Sequence, residues 1–173
     1  MGMICHLMAV TTTQLSELLS CNDEEEIRSL LDSKYKQDDD INSLNLGKTW
    51  HGLNFLLTGD LVGSEPLSWV IFGNHSIGGD EEQLLYGYSF IGLRYLLPDE
   101  VAKVAEILPS ITVENLTANF LPKTMDKASI YPIGIWVRDG EEALNWLLTF
   151  YNDLVKFYQQ AASATKAILM YID

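Results

Sequence analysis

The chain has 173 residues, enough for one domain with a full hydrophobic core and short for two, and its 47% hydrophobic and 20% charged residues suit a folded globular protein. Its 24 acidic residues oppose 11 basic ones, a formal charge of −13 that repels phosphate backbones and anionic headgroups and so argues against nucleic-acid and membrane partners. No apolar run reaches the ~18 residues of a bilayer span, the start lacks a signal peptide's basic segment and cleavage site, and Cys5 and Cys21 imply no disulfide framework, so a soluble, cytoplasmic protein is expected.

Residues 3–10 are nearly all apolar and read as a buried first strand. Three threonines then offer an N-cap to a helix carrying Leu15, Leu18 and Leu19. Asn22 begins a second helix, in which Asp23, Glu24, Glu25 and Glu26 suit the positive end of the dipole while Ile27, Leu30 and Leu31 form the buried side. Residues 33–40 are polar, end in three aspartates and lack the ligand spacing of a calcium loop, so an exposed turn is expected.

Residues 44–60 carry Leu46, Trp50, Leu53, Leu56 and Leu57 at three- and four-residue steps and stop at Gly59. The spacing predicts one buried helix holding Lys48 and His51 near its start. A short helix over 66–72 is bounded by Pro66 and Gly73. Residues 74–83 are glycine-rich and acidic, a surface loop that is either simply solvated or a gate, and 84–97 read as extended, with a strand over 93–96.

Pro98, Asp99 and Glu100 open a helix with Val101, Val104, Ala105 and Leu108 inward, which Pro109 ends. Short helices follow over 113–120 and 122–125, and 130–132 is an extended connector because a residue before proline avoids the helical region. Residues 140–162 form the longest periodic segment, with one stripe from Leu144 to Tyr158 and a second of Trp146, Phe150 and Phe157, so both sides should be covered. Residues 166–172 read as another buried strand. Alternating strands and helices predict an α/β fold with a small, mixed, partly parallel sheet.

Several short motifs recur in one order: Met1-Gly2-Met3-Ile4; Gly47-Lys48-Thr49-Trp50-His51 continuing to Leu56-Leu57-Thr58-Gly59; Pro66-Leu67 with Ile71-Phe72-Gly73; Arg94-Tyr95-Leu96; Ile130-Tyr131-Pro132 with Trp136; and the ending from Phe157-Tyr158 to Asp173. In these the chain resembles the YfbM-like family, small bacterial proteins of unknown function. The resemblance spans almost the whole chain and implies a single three-layer α/β/α domain over 1–173. It brings no catalytic residues with it.

No complete catalytic motif is present. Gly47-Lys48-Thr49 ends like a phosphate-binding loop, but Asn42 stands where its first glycine belongs. His6, His51 and His75 lack metal-ligand spacing, and Cys5 with His51 lacks the sharp nucleophile turn, so neither a metal nor a cofactor is expected. The remaining constellation is Lys48, His51, Arg94, Tyr131 and Trp136, cations and hydrogen-bonding aromatics that would suit a small anionic ligand if they converge. Two classes of function follow. One is a non-enzymatic acidic module, of inhibitor or immunity type, steered onto a basic protein partner. The other is a small enzyme or receptor using a pocket around Lys48, His51 and Arg94. The first is the reading favoured here, and oligomeric state leaves no trace in the sequence.

Overall fold

A computed structural model describes residues 2–35, 41–77 and 91–172. The three aspartates of 38–40 and all of the glycine-rich loop beyond Ile77 lie outside the described residues. β1 (Cys5–Val10), β2 (Ser43–Gly47), β3 (His75–Ile77), β4 (Ile91–Leu96) and β5 (Ala167–Ile172) form one sheet in the order β2-β1-β5-β4-β3. The first and last strands of the chain are therefore central neighbours, paired from Cys5 opposite Ile172 to Val10 opposite Ala167.

Successive residues of a strand face opposite sides, and these two strands are buried on both. Cys5, Leu7, Ala9, Ile168, Met170 and Ile172 point into one core, while Met8, Val10, Ala167, Leu169 and Tyr171 point into the other. The second face is covered by α1 (Thr12–Leu19) and α2 (Glu24–Leu30), through Leu15, Leu18 and Ile27. Thr11 caps α1 in a reciprocal box with Gln14, and Asp23, not Asn22, caps α2 by accepting from the Glu26 N–H at 2.9 Å. A π-helical turn at Leu31–Tyr35 continues α2 into the start of the expected loop.

The first face carries α3 (Trp50–Thr58), α4 (Trp69–Phe72), α5 (Pro98–Ile107), α6 (Val113–Asn119), α7 (Pro122–Lys127), α8 (Trp136–Asp139) and α9 (Glu141–Ser163). α9 buries Leu147, Tyr151, Leu154, Phe157 and Tyr158, but Trp146 and Phe150 of its second stripe are only half-buried. The outcome is the expected three-layer α/β/α domain. Among the described residues no helix is long and apolar enough to cross a membrane.

Two expectations need correction. Every described strand pairing is antiparallel, not partly parallel. One helix between two strands returns the chain for a parallel pairing, whereas the α1–α2 pair between β1 and β2 brings it back in the opposite sense. The predicted helix over 44–60 is also two elements. Ser43–Gly47 is the edge strand β2, Gly47 turns at φ 55°, and the helix starts at Trp50, with Leu46 O accepting both the Thr49 N–H and its hydroxyl. Lys48 thus sits in a turn, not on the helix.

Candidate functional site

Trp50 is the hub of the predicted constellation. Its indole stacks on His51 at 4.9 Å and on Tyr131 at 5.7 Å between ring centroids, and its Nε1–H donates to the Met3 carbonyl at 3.3 Å. The Met3 N–H donates in turn to the Tyr131 hydroxyl at 2.9 Å. Lys48 closes the same corner: a Cβ built on Gly2 would come within 2.3 Å of its Cε and 2.9 Å of the Tyr131 Oη, so any larger residue there would have to displace the lysine side chain. The corner that sequence reasoning offers to a ligand is occupied by the main chain of residues 2–3.

His51 is held between two connectors. Its Nδ1 accepts the Tyr131 N–H at 3.1 Å, which places the ring proton of the neutral form on Nε2. Burial lowers its pKa to about 4, against the opposing pull of a hydrogen bond to the Leu61 backbone. One helix turn on, the buried Asn54 donates to the Leu61 carbonyl at 2.8 Å, so α3 fixes this loop twice.

The other two residues are less available. Trp136 is fully buried, donates from Nε1 to the Ile130 carbonyl at 2.8 Å, and packs so closely on Gly52 that a Cβ there would lie 2.6 Å from its ring. Arg94 donates from Nε to the Phe72 carbonyl at 2.7 Å and from Nη2 to the Gly73 carbonyl at 3.4 Å, and the ring of Phe72 is edge-on to Trp50. The fold therefore brings Lys48, His51 and Tyr131 together, sets Trp136 in the core behind them, and holds Arg94 on the α4 carbonyls.

A second polar cluster escapes sequence reasoning. Glu100, whose side chain is 8% exposed, accepts from the His75 Nε2 at 2.9 Å, from the Leu97 N–H at 2.8 Å and from the Asn74 amide. His75 also stacks on Tyr95 at 5.0 Å. The only sequence signal is a glutamate three residues after the cap position of a proline-started helix, which points to capping and is silent about His75. Among the described residues no group of three or more His, Cys, Asp or Glu is placed to hold a metal ion.

Two grooves lie away from these residues. A groove of about 590 Å³ between α1 and α2 is lined, among the described residues, by Glu17, Asp23, Glu25 and Glu26 with Cys21 and Leu30. Burial, and then Glu26, Asp23 and Glu17, push the Cys21 thiol up, which disfavours the thiolate. A second groove of about 430 Å³ on α9 is lined by Lys156, Gln159 and Gln160 with small residues. None of the five predicted site residues lines either groove.

Over residues 1–171 the sequence matches the model of a domain of unknown function, DUF1877. Among solved structures it is similar to the crystal structure of YfbM, a protein of unknown function from Escherichia coli, at 21% identity, with 98% of this chain and 99% of that chain covered and a TM-score of 0.74. That likeness speaks for the fold alone. No curated protein matches the chain.

Proposed function

The chain belongs to the DUF1877 family, described only as a domain of unknown function, and on that premise we propose that it is a non-enzymatic acidic binding module, of inhibitor or immunity type, that takes a basic protein partner. The observation that supports this reading is the α1–α2 groove, whose described lining includes Glu17, Asp23, Glu25 and Glu26. His51, Arg94, Tyr131 and Trp136, by contrast, direct polar atoms to the chain's own backbone. Such a groove speeds encounter with a cationic surface and rejects anionic ones, while each exposed ion pair adds only about 0.2–1 kcal/mol.

The test is fluorescence anisotropy with a labelled Lys/Leu peptide at low and physiological salt. Reversing Glu17 and Glu25 to Lys should weaken binding roughly tenfold, and raising the salt should do the same to the native chain. Binding indifferent to both changes overturns the reading. A second reading, a receptor for a small anion, is favoured by one observation: among the described residues Lys48, beside the Tyr131 hydroxyl, has no ion-pair partner. Calorimetric binding of inorganic phosphate, lost in Lys48→Met, would put that reading first.

A further inference from the structure

The His75–Glu100 cluster is built more fully than helix capping requires. A glutamate at this position of α5 has only to accept the Leu97 N–H, which its Oε2 does at 2.8 Å, and such a carboxylate ordinarily stays in water. Glu100 is instead 6% exposed, its Oε1 also takes the Asn74 amide, and its two oxygens lie 2.9 and 3.1 Å from the His75 Nε2. Withdrawing a carboxylate from water is costly unless donors replace the water, and here the imidazole completes the set.

The consequence falls on the imidazole. With its Nε2–H donated to Glu100, the neutral ring carries its lone pair on Nδ1. Tyr95, the cross-strand neighbour of His75, stacks on the ring at 5.0 Å, so the ring is held by one edge and one face. The side chain is 36% exposed, and among the described residues no group bonds to its Nδ1. The other two histidines are placed differently. His51 has its Nδ1 engaged by the Tyr131 N–H, and His6 projects from the central strand β1 and stacks on Tyr171 at 4.9 Å.

An imidazole backed by a carboxylate through one nitrogen and open at the other has the arrangement of an activated nucleophile. We propose that His75 is a site of covalent modification, whose Nδ1 accepts an acyl group from a neutral donor of the ester or carbonate class. The Nδ1 lone pair forms a bond to the acyl carbon, the bond from that carbon to the leaving oxygen breaks, and that oxygen departs with the electron pair and takes a proton from water. The ring becomes an N-acyl imidazolium. Its positive charge develops against the N–H that Glu100 already holds, so the carboxylate stabilises the charge as it forms. The same carboxylate, with exposed Asp99 next to it in α5, repels an anionic donor and selects a neutral one. The site shares no residue with the acidic groove and does not depend on it.

The test treats the full chain with diethyl pyrocarbonate, a neutral carbonate donor, and maps the carbethoxylated histidines by mass spectrometry of peptides. His75 should react at least about tenfold faster than His6 or His51. At about pH 8.5, where imidazoles are neutral, Glu100→Gln keeps an acceptor for the Nε2–H but removes the charge, and should slow His75 about tenfold while leaving His6 unchanged. A purely structural Glu100 would not move that limiting rate. Should Glu100→Gln fail to fold in circular dichroism, nitrogen-15 NMR of the parent chain still decides, because the neutral His75 ring must carry its proton on Nε2. A proton on Nδ1, His6 reacting as fast as His75, or a folded Glu100→Gln variant with the parent's rate overturns the proposal.

Discussion

The two helical layers over one sheet differ in depth and in charge. Among the described residues 29 buried ones form the main core on the thick side and 11 the core on the thin side, so the described α1–α2 layer has less apolar contact opposing local opening. The thin side concentrates its charge in a short stretch, with six acidic residues against two basic between residues 12 and 35. The thick layer thus buries most of the described core, while the thin one presents a dense run of charge over a smaller core.

Truncation in the thick layer should have the largest effect. Trp136 is fully buried between α3 and α9, and Trp136→Ala should destabilise the whole domain by about 4 kcal/mol, read as a lower urea midpoint with every amide losing protection together. Leu18 is equally buried in the thin layer, and Leu18→Ala should cost about 3 kcal/mol, with faster hydrogen exchange concentrated in α1 and α2. Equal loss of protection across the sheet in both variants would remove the distinction between the layers.

Acid tests the thick layer by another route. His51 has its pKa depressed to about 4, so the unfolded chain takes up a proton near the ordinary value of 6.5 while the folded chain does not. The stabilisation is complete above pH 6.5, falls as the pH drops toward 4, and changes no further below that. Lowering from the ordinary 6.5 to about 4 corresponds to roughly 3 kcal/mol. Urea unfolding of the parent and of His51→Gln between pH 4 and 7 should show the pH dependence of the parent reduced by up to one proton in the variant. Parallel curves would mean that His51 does not titrate between those limits.

The sequence reveals elements wherever one burial pattern dominates. β1 and β5 are legible because strands buried on both faces become continuous apolar runs, and α5 because Pro98 and Glu100 mark its start. β2 is hidden because Leu44 and Leu46, spaced as a strand, run into the helical spacing of Trp50, Leu53 and Leu57 and merge with it. β3 has only three residues, too few for any period. Of the site, the meeting of Lys48, His51 and Tyr131 could be anticipated from residue type. That Met3 supplies both backbone partners in that corner could not, because main-chain groups leave no trace in side-chain identity. His75 and Glu100 are 25 positions apart with no shared pattern.

A cap separates the layers more gently. Asp23→Ala removes the carboxylate that holds the first turn of α2 and should cost about 1 kcal/mol, felt in the thin layer alone.

The smallest change should move both layers together. Thr165 joins α9 to β5 in a left-handed conformation at φ 53°, where a β-branched side chain is crowded against its own backbone. Thr165→Gly relieves roughly 1–2 kcal/mol of that strain and adds about 0.5–1 kcal/mol of backbone entropy to the unfolded chain, leaving a net gain of about 0.5 kcal/mol. Because β5 contributes alternate residues to both cores, the gain should raise the melting temperature by about 1–2 °C and slow exchange equally in α1–α2 and in α9. A gain confined to α9 would show that the thin layer opens without disturbing the central strand, making the two sides more independent than their shared sheet implies.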